Sequence, residues 1–283
     1  MELTDLRVLI DVVDAGGITA AAKKIHRVPS GITTRIKMLE TELATILFER
    51  IGKKMILTAD GALFLERAKR IVDLADEAIS AVGNSTDQGT LKVGAMDSVA
   101  FKFSSQLSKY HNAYPNVALS LIAGAPEKFV PMVKHGDIDI AIVLNPLRDP
   151  GLSSEIIAED QACLVTDLSH PAIQDPSGIG ASSILAFPSG CPYRFKLEEW
   201  FRMKSVTPSR IVEIHSYHVM IGCVVAGMGI AMVPTAILKG YPKNAGFKTH
   251  ALPKKLASGE LRAIYRKTQT NQKLKKLLEF LKK

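Results

Sequence analysis

The segment at residues 18–39, which reads ITAAAKKIHRVPSGITTRIKML, decides how the N-terminal part of this chain folds. Three consecutive small residues, Ala20, Ala21 and Ala22, allow one short helix to cross a second at close range, as a helix-turn-helix requires. We predict the short helix over residues 20–25 and the second helix over residues 29–43. The apolar residues of this pair recur at helical spacing and would form the core beneath it: Ile25, Ile32, Ile36 and Leu39.

A further helix precedes this pair, and two glycines, Gly16 and Gly17, mark its end. Thr4 is the predicted N-cap of this first helix, and Thr19 is the predicted N-cap of the next one. The apolar positions of the first helix follow the spacing of a buried face, and they are Leu6, Leu9, Ile10 and Val13.

The remaining side chains of the 29–43 helix are short, polar or basic, and such groups suit entry into the major groove of duplex DNA. Residues 23–37 carry five basic residues and no acid, although residues 1–88 hold twelve basic and thirteen acidic residues. This local positive charge attracts phosphates. The predicted DNA contacts of the helix are Pro29, Ser30, Thr33, Thr34, Arg35 and Lys37.

A short hairpin at residues 52–58 is predicted to follow as a wing. Three basic residues flank this hairpin, and their side chains would reach the phosphate backbone or the minor groove of DNA: Arg50, Lys53 and Lys54. Each base taken alone could equally be a solvated surface charge, so the interpretation depends on their position beside the helix-turn-helix.

Residues 59–83 are predicted to form one long helix of about 37 Å. Six of its apolar residues are spaced alternately four and three apart, which is a heptad seam: Phe64, Ala68, Ile71, Ala75, Ala78 and Val82. The seam either packs on its own domain or pairs with a second copy, and its regularity favours a dimerisation helix. The polar stretch at residues 83–89 then acts as a linker.

With these elements in place, the first 66 residues resemble the N-terminal domain of LysR-type transcriptional regulators. The resemblance rests on short motifs that occur without gaps, namely Met1-Glu2-Leu3, Leu6-Arg7, Ile18 to Ala22, Ile25-His26, Leu39-Glu40, Glu42-Leu43, Leu47 to Arg50, and Leu57-Thr58 with Gly61. It implies DNA recognition by Pro29, Ser30, Thr33 and Thr34, with Lys53 on the wing. It also implies a homodimer through residues 59–83, often paired into a homotetramer, on interrupted palindromic promoter sites, with RNA polymerase as a candidate further partner.

The sequence departs from the family pattern at the start of the recognition helix. The family often has Ser-Gln-Pro-Ala before this helix and an arginine at the position of Thr34, whereas this chain has Val28-Pro29-Ser30-Gly31 and carries Arg35 one place later. The base sequence that commoner members prefer therefore does not transfer to this chain.

From Thr90 onward, runs typical of strands alternate with runs typical of helices, which predicts a mostly parallel sheet with helices on both faces. The predicted strands are 91–94, 117–122, 138–144, 162–165, 183–187, 210–214, 229–233 and 261–266. The predicted helices are 98–113, 127–134, 194–203, 217–226 and one that begins at residue 271. The fold class is thus α/β behind an all-α winged helix-turn-helix.

The resemblance to the family continues through residues 136–142 and 224–234. It implies an effector domain of two Rossmann-like α/β lobes around a cleft, like a periplasmic solute-binding protein. The predicted domains are residues 1–58 for the winged helix-turn-helix, 59–88 for the dimerisation helix and hinge, and 89–283 for the effector domain. Lobe I would be about 90–145 plus 247–283, and lobe II about 146–246.

Ligands of such sheets lie at the carboxyl ends of strands, where helix N-termini present free N–H groups. Ser98 either caps a helix or contacts the ligand, and Arg194 either binds an anionic ligand or pairs with Glu198 one turn further on. The predicted effector contacts are Met96, Ser98, Pro126, Ser189, Cys191, Tyr193, Arg194 and Ser216. The expected ligand is a small molecule, which could be anionic, and no other cofactor is expected.

Several classes of protein are disfavoured by the sequence. No apolar run reaches the length of a membrane span, and the acidic N-terminus is unlike a secretory signal, so we expect a cytoplasmic protein. The cysteines, Cys163, Cys191 and Cys223, lack metal-ligand spacing and indicate neither a zinc site nor a disulfide framework. The net charge of +8 lies largely in the C-terminal tail and is weak support for DNA binding.

Two other classes of function compete with a regulator. An enzyme would carry a nucleophile elbow, a phosphate loop or a dinucleotide fingerprint, and the sequence has none of these motifs. A solute-binding module without a DNA function would have a signal peptide and no helix-turn-helix, which is the reverse of the observed pattern. The sequence therefore predicts a regulator in which a ligand closes the two lobes and shifts the DNA-binding heads through the 59–83 helices.

Overall fold

The structure is a computed structural model that describes residues 1–51, 54–82, 88–146, 149–179, 182–242, 244–269 and 271–282. Within those ranges the description omits a few side chains: Arg50, Ile51, Lys54, Glu77, Ser80, Ala81 and Val82. The chain divides into two compact units, of which the first is largely the segment up to residue 86 and the second is most of the remainder. Among the described helices, none is long and apolar enough to cross a membrane.

The first unit is a three-helix core followed by a hairpin and a long helix. The elements are α1 (Leu3–Asp14), α2 (Ile18–Lys24), α3 (Pro29–Leu43), β1 (Phe48–Ile51), β2 (Lys54–Leu57) and α4 (Ala59–Val82). The bounds of α3 are those predicted from the sequence, and its Ile32, Ile36 and Leu39 are buried as predicted. Ala21 and Ala22 of α2 are buried in the same core, while Ile25 packs against it from a half-buried position.

The helix caps differ from the prediction. The N-cap of α1 is Glu2, not Thr4, and Asp5 completes a capping box by accepting the Glu2 N–H at 3.0 Å. Acidic side chains in the first turn also suit the positive end of the helix dipole. The N-cap of α2 is Gly17, not Thr19, and its φ of 147° is one that glycine adopts without steric cost.

The hairpin is longer than the predicted segment at residues 52–58, which includes only its second strand. The first strand is Phe48–Ile51, and the antiparallel register pairs Phe48 with Leu57. The carboxylate of Glu40 in α3 accepts the backbone N–H of Leu47 at 2.8 Å and that of Phe48 at 3.2 Å. These two bonds hold the start of the wing in a defined position relative to α3.

A glycine allows α4 to pack closely behind the wing. The Thr58 hydroxyl accepts the Gly61 N–H at 2.9 Å and so caps the start of α4. A Cβ atom added at Gly61 would lie 2.1 Å from the carbonyl oxygen of Leu47. Only glycine fits this close approach of helix and chain.

The heptad seam predicted for α4 does not form one exposed face. Ala68 is fully buried, and Phe64 and Ala75 are half-buried in the first unit, because this side of α4 packs against α1. Exposed apolar side chains of α4 form a different stripe, which shares only two members with the predicted seam: Leu63, Ile71, Leu74 and Ala78. The seam residue Val82 has its side chain outside the described residues, as does most of the predicted linker at 83–89.

The second unit is an α/β domain built on one mixed sheet. Its strands are β3 (Gly89–Ala95), β4 (Val117–Ala123), β5 (Ile140–Leu144), β6 (Leu152–Asp167), β7 (Ile184–Ala186), β8 (Ile211–Glu213), β9 (Ile230–Pro234), β10 (Phe247–His250) and β11 (Ser258–Arg266). Its helices are α5 (Asp97–Lys102), α6 (Ser104–Ala113), α7 (Pro126–His135), α8 (Pro192–Arg202), α9 (Tyr217–Val225), α10 (Thr235–Leu238), α11 (Lys254–Ala257) and α12 (Gln272–Leu281). The predicted helix at 98–113 is thus two helices that meet at Phe103.

The strand order is β4-β3-β5-β11-β6-β9-β7-β8, with β10 also paired to β6. Parallel pairs join β3 to β4 and β5, and β7 to β8 and β9, while β11 and β10 pair antiparallel with their neighbours. Alternate residues of β5 enter cores on opposite faces, with Ile140 and Ile142 on one side and Ala141 and Val143 on the other. The sheet is therefore covered on both faces at β5, as predicted. It is mixed rather than mostly parallel, because β11 pairs antiparallel with β5 and β6, and β6 pairs antiparallel with β9 and β10.

The long strand β6 joins the two lobes of this unit. Its first part, up to Gln161, pairs with β11, and its second part, from Ala162, pairs with β9 and β10. The chain thus passes to the second lobe inside β6 rather than near residue 146. β10 pairs with the second part of β6, so the return lies after residue 250 and not near residue 246. The apolar–polar alternation of residues 152–161 was too weak to predict a strand there.

Candidate DNA interface and effector cleft

The outward side of α3 lies opposite its buried residues and carries the exposed side chains of Ser30, Thr34 and Lys37. Pro29 is also exposed, and Thr33 is half-buried at the edge of this surface. Other exposed residues of the same helix and its cap were not among the predicted contacts, and they include Val28 and Met38. A prediction restricted to polar and basic groups does not include Val28 and Met38. The position of Met38, one helical turn after Thr34, would have indicated it, and Val28 is the N-cap of α3.

Arg35 points toward α1 rather than toward the outward side of α3. Its guanidinium forms an ion pair with Asp5 of α1, with 2.6 Å between Nη1 and Oδ1. The Asp5 carboxylate is thereby shared between the cap of α1 and the side of α3. The predicted base contact by Arg35 is therefore replaced by a bond that holds α1 and α3 together.

The structure describes the predicted wing contacts only in part. Lys53 lies outside the described residues, and so do the side chains of Arg50 and Lys54. The backbone of Arg50 lies in β1 opposite Met55 of β2, which places it near the tip of the hairpin. Their contact with DNA stays a prediction.

The candidate effector site centres on a buried hydroxyl at the end of β3. Met96 is the N-cap of α5, and Ser98 in its first turn is only 3% exposed. Within the described part of the chain, no group forms a hydrogen bond of normal geometry with Ser98 Oγ. The phenols of Tyr193 and Tyr217 flank this hydroxyl closely enough that Ser98 influences the pKa of both. A buried polar atom without a partner is costly, and a bound ligand would satisfy it.

A buried carboxylate, Asp160, joins the two lobes beside this hydroxyl. The Tyr193 phenol of α8 donates to Asp160 Oδ2 at 2.6 Å, and Lys102 Nζ of α5 lies 3.2 Å from Oδ1. Burial and the neighbouring carboxylate raise the pKa of Tyr193 well above its ordinary value, so the phenol keeps its proton. Asp160 was not predicted, because residues 152–161 were not recognised as a strand, and without Asp160 the sequence indicated no partner for Lys102.

The predicted cation of the cleft already has partners. Arg194 forms ion pairs with Glu198 at 2.8 Å and Glu213 at 2.6 Å. Of the two predicted alternatives for Arg194, the structure thus contains the pair with Glu198. Lys196, which is buried and was not predicted, donates to the Ser258 carbonyl at 2.7 Å. Burial lowers the pKa of Lys196.

Cys191, Tyr193 and Arg194 line one small cavity together with Tyr217. The cavity measures about 10 Å³, which is room for one water molecule at most. Burial raises the pKa of the Cys191 thiol, an environment that disfavours the reactive thiolate. All of the residues that line this cavity lie in the second lobe, and the cavity has no room for an organic effector.

The other predicted effector residues lie around the cleft without joining this cavity. Pro126 is half-buried at the first position of α7, Ser189 is exposed, and Ser216 is the half-buried N-cap of α9. The loop that contains Ser189 approaches α7 closely, since a Cβ atom at Gly190 would lie 2.1 Å from the Glu127 carboxylate. Glu127 of α7 thus lies against the loop that contains Gly190, a contact that the sequence did not indicate.

Comparisons with known proteins agree with this arrangement. Residues 3–62 match the model of the bacterial regulatory helix-turn-helix proteins of the lysR family, and residues 84–283 match the LysR substrate binding domain. The chain therefore belongs to the LysR family. It is a LysR-type transcriptional regulator with a helix-turn-helix DNA-binding domain and a substrate-binding domain.

Several relatives align over nearly the whole chain, and they are named as HTH-type transcriptional regulators. GltR of Bacillus subtilis is 31% identical over 94% of this chain and 91% of its own length. CzcR of Bacillus thuringiensis is 32% identical over 100% of this chain and 96% of its own length. A helix-turn-helix domain throughout this group does not fit the alternative of a solute-binding module without a DNA function.

Solved structures share the fold at lower identity. A full-length OxyR variant from Pseudomonas aeruginosa has a TM-score of 0.79 at 18% identity and covers 100% of this chain and 98% of its own. CbnR in complex with its target DNA has a TM-score of 0.72 at 24% identity, with 99% of each chain covered. The predicted fold class, a helix-turn-helix followed by a two-lobed α/β domain, is confirmed.

Proposed function

We propose that this regulator binds interrupted palindromic promoter sites by inserting the outward side of α3 into the major groove. The observation that carries the proposal is the exposure of Ser30, Thr34 and Lys37 on a helix whose opposite side is buried. The nearby bases Lys23 and Arg27, also exposed, would face the phosphates. The structural neighbour CbnR was solved in complex with its target DNA, which supports DNA as the partner.

The test is selection of duplexes from a random library by the full-length protein, followed by footprinting on the recovered sites. We expect two protected half-sites related by symmetry and separated by about one helical turn or a multiple of it. A protein that shows no preference for any duplex over random DNA, with and without candidate ligands, would contradict the proposal.

We further propose that a small polar effector binds between the two lobes and hydrogen-bonds to Ser98. The buried hydroxyl forms no hydrogen bond of normal geometry among the described residues, which supports this position, and the flanking phenols supply further polar groups. Lys102, Arg194 and Lys196 are each engaged by protein groups. An anionic effector would therefore have to displace one of these partners, so the arrangement favours recognition by hydrogen bonds over recognition by a free cation.

Thermal shift of the full chain against small anions, amino acids and amines tests the effector site. A ligand that raises the melting temperature of the parent should lose most of that effect with Ser98→Ala. It should keep the effect with Ser104→Ala, which removes an exposed hydroxyl one helix further on. Equal stabilisation of both variants would place the effector elsewhere.

The third part of the proposal is a homodimer through α4. Its exposed apolar stripe of Leu63, Ile71, Leu74 and Ala78 follows the spacing of a helix-pairing surface. Apolar side chains in such a row are unfavourable in water and are stabilised when a second helix covers them. A dimer would present two copies of α3 to the two half-sites.

A further inference from the structure

Three threonines of α3 donate their hydroxyl protons to the backbone of the same helix. Thr33 Oγ1 donates to the Pro29 carbonyl at 2.9 Å, and Thr34 Oγ1 donates to the Ser30 carbonyl at 3.0 Å. Thr41, two turns further along, does the same to the Lys37 carbonyl at 2.8 Å. A hydroxyl has a single proton, so in this arrangement neither Thr33 nor Thr34 can donate to a base.

The loss of these donors changes which base edges the helix can read. Guanine N7 and O6, adenine N7 and thymine O4 are all acceptors in the major groove, and each requires a donor from the protein. The threonines retain a methyl group and the lone pairs of the oxygen. Their remaining choices are contact with the thymine methyl, or acceptance of a proton from the amino group of adenine or cytosine.

The surroundings of the two threonines favour the methyl contact. Val28 is 66% exposed, and its Cγ2 atom lies 3.6 Å from the Cβ position of Gly31, so it covers the first turn with carbon. Pro29 has no N–H group, and Met38, one turn after Thr34, is 62% exposed. The start of α3 therefore offers an apolar surface on which Ser30 is the polar exception.

We propose that Thr33 and Thr34 read DNA through their methyl groups and thereby select thymine at the positions that they face. The inference rests on the proposed function, because it requires the outward side of α3 to enter the major groove. It extends that function by naming the chemical group that is recognised, the 5-methyl group of thymine.

Uracil interference on the selected duplexes tests this directly, since uracil differs from thymine only by the missing methyl group. The full-length parent should bind about fourfold more weakly for each contacted thymine that is replaced by uracil. Thr33→Ser and Thr34→Ser, which remove the methyl and keep the hydroxyl, should bind the thymine duplex more weakly and lose the interference at one position each.

The matched variants Thr33→Val and Thr34→Val keep a methyl and remove the hydroxyl. They should bind within about twofold of the parent and retain the uracil interference. Thr41→Ser controls for any effect of the substitution on the helix itself, because its hydroxyl makes the same type of bond at the far end of α3. A circular dichroism melt of each variant checks that the helix is folded.

The outcomes separate this inference from the proposed function. If the parent binds specific sites but shows no uracil interference near the half-sites, the proposed function stands. The inference that Thr33 and Thr34 recognise the thymine methyl group would then be wrong. Loss of binding in the valine variants, with serine tolerated, would do the same and indicate that the hydroxyl oxygens accept a base proton. No specific binding at all would contradict the proposed function itself.

Discussion

The guanidinium of Arg35 in α3 is paired with the carboxylate of Asp5 in α1, and that carboxylate also accepts the Glu2 N–H that begins α1. Arg35 is the base that stands one place after the family's usual arginine position. The displacement by one residue turns the side chain about 100° around the helix, away from the outward side and toward α1. A residue that the sequence pattern indicated as a DNA contact is therefore a structural one.

The first prediction contrasts this arginine with a neighbouring lysine. Arg35→Ala should lower the free energy of unfolding of the first unit by about 0.5–1 kcal/mol, because the pair is only partly buried. Lys37→Ala, on the outward side, should leave stability unchanged, weaken binding to all duplexes alike and reduce the salt slope by about one unit. Urea denaturation and salt-dependent gel shifts measure the two effects. A changed base preference in Arg35→Ala would contradict the assignment.

The second prediction concerns the oligomeric state. Leu74, which is 66% exposed on α4, should lie in the dimer interface. Leu74→Glu would place a charge in that apolar contact and should convert the dimer to a monomer in sedimentation or light-scattering measurements. Val72→Ala serves as the control, because Val72 is buried in the first unit and its truncation should lower stability while the mass stays dimeric. A dimeric Leu74→Glu variant would argue for another interface.

The third prediction concerns the bond between the lobes. Tyr193→Phe removes the donor to Asp160 and leaves the buried carboxylate with Lys102. The free energy of unfolding of the second unit should fall by about 2 kcal/mol, the usual size for a hydrogen bond to a charged group. Tyr241→Phe, which loses an exposed contact with His218, should change it far less. Equal losses of stability for the two variants in urea denaturation would contradict the expected contribution of the bond between Tyr193 and Asp160.

A fourth prediction follows from His250 in β10. Its Nδ1 atom accepts the Ile173 N–H at 3.2 Å, and its Nε2 atom lies 2.9 Å from the Thr166 hydroxyl, so this arrangement requires the neutral ring. Burial, and then the nearby His170 and Lys248, lower the pKa of His250 below 6.5. The unfolded chain thus binds a proton more readily, and stability that is present above pH 6.5 should be lost as the pH falls through the lowered pKa.

His250→Ala should remove this part of the pH dependence and also reduce the stability at neutral pH. The control is His111→Ala, at an exposed position of α6. Thermal melts between about pH 5 and pH 8 report the difference, since that interval contains the titration of histidine. An unchanged pH profile in His250→Ala would mean that another group is responsible.

The fifth prediction is that the thiols react slowly. Burial raises the pKa of Cys163 to about 11 and raises the pKa of Cys191 as well. The thiolate is the reactive form, so alkylation of either residue at neutral pH should be slow unless the chain unfolds. Cys191→Ser should leave DNA binding unchanged before and after treatment with peroxide. A peroxide-dependent gel shift that this variant abolishes would reverse the conclusion.

The long helix α4 shows where pattern reasoning was limited. The seam with alternating spacings of four and three exists in the sequence, and it predicts an apolar face correctly. The sequence does not show whether α1 of the same chain or a second copy covers that face. In the structure α1 packs against part of it. Ala68 is buried in the first unit, and among the seam side chains that the structure describes only Ile71 and Ala78 are exposed.

The effector cleft shows a similar limit. The position of Ser98 could be predicted, because a hydroxyl directly after a strand in an α/β pattern lies at the ligand-binding edge of the sheet. The burial of Ser98 could not be predicted. It depends on Tyr193 and Tyr217 from α8 and α9, which are roughly a hundred residues away in the chain. Asp160 was missed because β6 runs through both lobes and shows no single pattern along its length.

The residue pattern was enough to establish the family, the bounds of α3 and its buried side, because helical periodicity and the close crossing of small residues are local properties. Only the folded chain showed that Arg35 bonds to Asp5 and that Arg194 bonds to Glu213 as well as to Glu198, because Asp5 and Glu213 lie far from these arginines in the sequence. A side chain's function depends on which of its polar atoms remain free, and that is settled only when every neighbour is in place.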